Sequence, residues 1–107
     1  MTHKIREVYI VHHSHTDVGY TDLQEQVIYN QANNIRRAVE LIENGIKNNT
    51  TQKDLKWNCE TWYCVEQFFK MATEEEKEKF FDLVKKGNIG LPANYLNFND
   101  LADCKYL

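Results

Sequence analysis

The sequence is short of cysteine, of net charge and of long apolar runs, and each shortage narrows what the chain can be. Three cysteines, Cys59, Cys64 and Cys104, are too few and too scattered for a disulfide framework, and Cys59 and Cys64 lack CxxC spacing. They read as buried free thiols. Acidic residues outnumber basic ones by only 16 to 13. No Lys/Arg cluster stands out, so neither a nucleic-acid nor an anionic-membrane partner is expected. No apolar run is long enough to span a bilayer. The opening residues, MTHKIRE, lack the apolar stretch of a signal peptide, which leaves the localisation open between the cytoplasm and a chain whose leader has been removed. Repeats and low-complexity segments are absent. Histidine is scarce outside one place: apart from His3, all of it lies in VHHSHTDVGYTD, residues 11–22.

What is there suits one small domain. The chain has 107 residues, 42% hydrophobic and 27% charged, an ordinary globular composition. EVYIV (residues 7–11) is β-branched and aromatic and predicts a buried strand. Ile28, Ala32, Ile35, Val39, Ile42 and Ile46 recur at alternating steps of about four and three, the stripe of one helix over residues 23–48. Residues 48–52 are a polar loop. Leu55, Trp57 and Cys59 alternate with Lys56, Asn58 and Glu60 and predict a second strand. Residues 62–71 read as a short helix. Thr73 can cap the next helix, with Glu76 able to return the bond, and Lys85-Lys86-Gly87 is its stop. Phe80, Phe81, Leu83 and Val84 supply its apolar face. Residues 89–92 predict a third strand, and residues 93–107 a loop with a helical turn at 100–104.

The resulting order, β-α-β-α-α-β, predicts an α/β fold with parallel strands and right-handed crossovers. Loops at the carboxyl ends of parallel strands carry function, and the histidine cluster falls there after the first strand. Side chains two apart along an extended chain share a face. His13, His15 and Asp17 therefore point one way, and His12, Ser14 and Thr16 the other. Imidazole nitrogen and carboxylate oxygen at alternate positions can close on one divalent ion, and such mixed ligands suit zinc. His-x-His-x-Asp does not by itself choose a reaction; amidohydrolase-like and phosphoesterase-like barrels also carry His-x-His after their first strand.

The stretch HSHTDVGY, residues 13–20, resembles the opening motif of the N-terminal catalytic domain of glycoside hydrolase family 38, the α-mannosidases. In that family the motif follows the first barrel strand and reads His-Ser-His-x-Asp-x-Gly-aromatic. The later segments, a strand entering Glu60 with Trp62 just after it and then LVKKGNIGLPANY, are similar too. The resemblance spans most of the chain and implies that residues 1–107 are the first part of a seven-stranded β/α barrel. It also implies an active-site zinc and retaining hydrolysis of an α-mannoside. His15 and Asp17 match two of the zinc ligands. The other two, one of them the nucleophilic aspartate, are expected outside this chain, so the 107 residues alone are expected to be inactive. Val18 and Tyr20 stand where better-known members often have proline and tryptophan.

Other candidates follow from position. His13 is expected to support the site rather than bind the ion. Glu60, at the carboxyl end of the second strand, is the candidate catalytic carboxylate. Tyr20, Trp62 and Asn97 are candidate substrate contacts, with Trp57, Tyr95 and Asn94 further possibilities. Asp22 and Glu25 suit the first turn of the long helix. A chain with open strand edges is also expected to associate with itself. The alternatives are a non-catalytic metal- or sugar-binding fragment and a metal-dependent barrel hydrolase of the amidohydrolase type.

Overall fold

The computed structural model describes residues 3–18 and 22–96. Tyr20, Asn97, Cys104 and the helical turn expected at residues 100–104 lie outside the described residues. Within them run α1 (Gln24–Asn48), a 3-10 turn (Thr51–Asp54), β1 (Trp57–Asn58), α2 (Trp62–Met71), α3 (Glu74–Lys86) and β2 (Ile89–Gly90). The fold is mostly helical.

Each helix has a local cause. α1 buries Val27, Ala32, Ile35, Ala38, Val39, Ile42 and Gly45. The buried stripe is thus displaced from the expected one: Ile46 is exposed, and Val27, Ala38 and Gly45 take part. α1 ends where Asn49 adopts a left-handed conformation, φ 53°, which asparagine tolerates better than most residues. Thr61 caps α2 by accepting the amide of Cys64, and Thr73 caps α3 by accepting the amide of Glu76. The return bond of a capping box is not made by Glu76, whose carboxylate instead takes the Arg36 guanidinium of α1 at 2.8 Å. Gly87, at φ 82°, closes α3 by donating to the carbonyls of Leu83 and Val84.

The three helices meet in one core. Ile35 and Ile42 of α1, Val65 and Phe68 of α2, and Phe80 and Leu83 of α3 are almost wholly shielded from solvent. Phe68, Phe69, Phe80 and Phe81 stack in tilted and edge-on pairs with centroids 5.4–5.9 Å apart, although Phe81 keeps one side in water.

The sheet departs from expectation. β1 and β2 pair in parallel, with Trp57 opposite Ile89 and Asn58 opposite Gly90. The amides of Trp57 and Cys59 donate to the carbonyls of Asn88 and Gly90 at 2.8 and 3.0 Å. The ladder then stops: Thr61 begins α2 on one side, and Pro92 has no amide proton on the other. The predicted third strand, residues 89–92, is therefore reduced to two residues. The predicted first strand, residues 7–11, does not form. Its one backbone link to the sheet is Asn58 N–H donating to His12 O at 2.9 Å. Val8, Tyr9, Ile10 and Val11 are all exposed. A β-branched run is a stable buried strand only when something covers both its faces, and among the described residues nothing does. The β-α-β-α-α-β order and the barrel opening that it implied are corrected accordingly: the described residues form a three-helix packing with a two-stranded parallel sheet.

Candidate functional site

Three segments converge at the carboxyl end of this small sheet: residues 13–17, the start of α2 with Glu60 before it, and the loop after β2. The loop supplies what the helix start lacks. The first amides of a helix have no partner within it. Here Trp62 N–H and Tyr63 N–H donate to the carbonyls of Asn94 and Tyr95, each at 2.9 Å. The rings of Tyr63 and Tyr95 meet edge-on, 5.9 Å apart, and Tyr95 O–H donates to Glu66. That hydrogen bond holds the Tyr95 phenol above its ordinary pKa.

The motif is held from beneath by α1 and α2. Gln31 donates its side-chain amide to the His15 carbonyl at 2.8 Å, and Asn34 donates to the Ser14 hydroxyl at 3.2 Å. Thr16 is buried, its hydroxyl 3.1 Å from the Cys64 sulfur, and the Thr61 hydroxyl lies equally close to that sulfur. The expected alternation holds in this respect: Ser14 and Thr16 turn into the helices, and His13, His15 and Asp17 turn outward. His12 borders a groove with Leu41, Leu55 and Trp57 instead.

The outward face centres on His15. Its Nδ1 lies 3.0 Å from Glu60 Oε1 and its Nε2 lies 3.0 Å from Asp17 Oδ1. His13 Nδ1 is 3.5 Å from the same Glu60 oxygen. The second Glu60 oxygen accepts the backbone amide of Thr16. Side-chain exposure falls from 63% for His15 through 39% for Asp17 to 16% for Glu60. Glu60 also directly precedes the cap of α2, where the helix dipole favours an anion. The hydrogen bond from His15 to Glu60, then the charges of Glu60 and Asp17, hold the His15 imidazole above its ordinary pKa.

The spacing of His15 and Asp17 bears on metal binding. Zinc bonds of about 2.0–2.2 Å in a tetrahedron put two ligand atoms about 3.3 Å apart. The observed 3.0 Å between Nε2 and Oδ1 is close to such an edge, and the two donor atoms suit zinc. They would supply two ligands; among the described residues no group of three or more His, Cys, Asp or Glu side chains is placed to hold an ion.

Of the other candidates, Trp62 is partly exposed on the first turn of α2, and Trp57 is half-buried against the core. An open cavity of about 270 Å³ lies beside the motif, lined by Thr16, Val18, Tyr63 and Leu96. Gln31, Asn34, Thr61 and Cys64 were not singled out from sequence. The available signal was a pair of amides, Gln31 and Asn34, three residues apart on a helix face otherwise lined by Ala32 and Ile35. No protein-family model, curated protein or solved structure matches the chain.

Proposed function

We propose that this chain carries part of the zinc site of a retaining α-mannosidase-like glycoside hydrolase, with His15 and Asp17 as two of the ligands. The reading rests on one observation: the HSHTDVGY motif, similar to that family's opening motif, brings an imidazole nitrogen and a carboxylate oxygen to 3.0 Å on an open face. Zinc in such a site holds adjacent sugar hydroxyls and orients the ring. Retaining hydrolysis also needs two carboxyl groups about 5 Å apart, one as nucleophile and one as acid. The two ligand positions here match neither role, and Glu60 is engaged by His15 and Thr16. The 107 residues by themselves are therefore predicted to bind zinc without turning over an α-mannoside.

A second reading, a metal-binding module without catalysis, draws on the same count of two converging ligands. Adding zinc and an aryl α-mannoside to the purified chain separates the readings from a self-sufficient enzyme. Hydrolysis that Asp17→Ala removes would mean that a nucleophile lies among residues given structural roles here.

A further inference from the structure

The geometry points to Gln31 as a positioning residue: its side-chain amide holds the peptide group between His15 and Thr16 and so sets the direction in which the His15 and Asp17 side chains leave the backbone. The inference rests on the zinc reading for its purpose, whereas the hold on the peptide stands on contacts of its own.

Residues 13–17 lie in neither helix nor strand. No helix or sheet ladder fixes their direction, so other contacts must. One peptide group is held at both ends. Its carbonyl, that of His15, accepts from Gln31 Nε2 at 2.8 Å, and its amide, that of Thr16, donates to Glu60 Oε2. A peptide group is planar and rigid. Holding its oxygen and its N–H fixes the plane, and with it the two Cα atoms that lie in that plane. The His15 side chain leaves from one of them, and the chain runs on to Asp17 from the other. The Thr16 side chain is pinned as well, its hydroxyl 3.1 Å from Cys64 Sγ. His15 Nε2 and Asp17 Oδ1, 3.0 Å apart, thus stand on a backbone with three holds.

Gln31 is suited to the first hold. It directly precedes Ala32 and lies one turn before Ile35, both buried, so core packing fixes the part of α1 that carries it. The two ends of its amide are not interchangeable here. Nε2 donates to the His15 carbonyl, and Oε1 accepts from the Cys64 thiol at 3.9 Å. Thr16, Cys64, Gln31 and the His15 carbonyl therefore close a ring of contacts that joins the motif to α1 and α2. Asn34, three residues further on, holds the Ser14 hydroxyl at 3.2 Å. That group is a side chain, and losing its partner leaves the peptide plane where it is. The direction of the ligand pair depends on Gln31 and not on Asn34.

Amide hydrogen exchange reads the hold without metal. Gln31→Leu removes both polar ends of the amide, and Gln31→Glu keeps the size and the acceptor but not the donor. In each, the Thr16 amide should exchange about three- to tenfold faster than in the wild type, the scale of one lost hydrogen bond, while the core amides of Ile42 and Leu83 keep their rates. Asn34→Ala should leave the Thr16 rate near that of the wild type. Calorimetric titration with zinc alone should show affinity about tenfold weaker in Gln31→Leu, which adds no charge, the low end of the usual cost of losing a ligand's partner. The low end applies because Gln31 is partly exposed and water competes for its bond. A Thr16 rate indifferent to both Gln31 variants overturns the inference, as does equal zinc affinity in wild type and Gln31→Leu. So does an Asn34→Ala effect as large as that of Gln31→Leu, or an equal rise at Ile42 and Leu83, which would mark a general loss of stability. If the Thr16 rate follows Gln31 while the wild type takes up no zinc, the hold on the peptide is upheld and the zinc reading fails.

Discussion

Cys59 shows how a single side chain can report on the packing behind the site. It is buried, and burial, with a smaller contribution from Cys64, pushes its thiol up to about 12. The thiol thus holds its proton more tightly folded than unfolded. Its contribution to stability is whole below about pH 9 and is lost as the pH climbs toward 12, because only the unfolded chain releases the proton in that window. Denaturant titrations across this range should show stability falling less steeply in Cys59→Ala than in the wild type; equal slopes would mean that the thiol reaches water. The residues around it also show what was readable in advance. The shared face of His15 and Asp17 was legible because alternation in an extended chain is a local rule, and the place of Glu60 because it follows an alternating segment. Gln31, Asn34 and Thr16 were not, because each owes its role to a partner at least 16 positions away. The same holds for the contact between Glu60 and His15, 45 positions apart.

Helices were the legible elements. α2 runs over the expected residues, and the caps at Thr73 and Gly87 were plain because capping depends on three or four neighbouring residues. Strands were not, since a strand exists only through its neighbours. Residues 7–11 have the composition of a buried strand and one hydrogen-bonded link next to them, at His12, which is too little to make a ladder. The join between α1 and the following 3-10 turn was invisible for a similar reason. A Cβ placed on Gly45 would lie 2.3 Å from the Lys53 amide nitrogen and 2.6 Å from the Gln52 carbonyl carbon, both backbone atoms that cannot swing aside. Gly45→Ala gains about 1 kcal/mol of helix propensity and loses about 1–3 kcal/mol to overpacking. Its thermal midpoint should therefore fall below the wild type's; a rise would show that the turn moves away freely. Thr73→Ala should cost about 1 kcal/mol by removing the cap of α3, measured by denaturant unfolding, and an unchanged midpoint would mean that water replaces the hydroxyl without loss.

At the scale of the molecule, the helical core is closed and the N-terminal segment is not. Ile5, Val8, Tyr9, Ile10 and Val11 present apolar side chains to solvent along one stretch without helix or strand. Among the described residues, the backbone of residues 5–11 makes no hydrogen bond outside its own segment. Extended backbone with exposed apolar side chains pairs readily with other chains. Light scattering should show the mean mass rising with concentration, and Val8→Lys with Ile10→Lys should suppress the rise; a constant monomer mass in the wild type would contradict this. The same segment delivers the motif to the sheet end, so association and metal binding should be measured on the same preparations. The central claim is that His15 and Asp17 form a zinc half-site, and calorimetric titration of the chain with zinc tests it most directly. The account predicts saturable binding of one zinc ion per chain, abolished in Asp17→Ala and in His15→Ala and little changed in His12→Ala, whose side chain borders the separate groove with Leu41, Leu55 and Trp57. No binding to the wild type, or binding that survives Asp17→Ala, would contradict it.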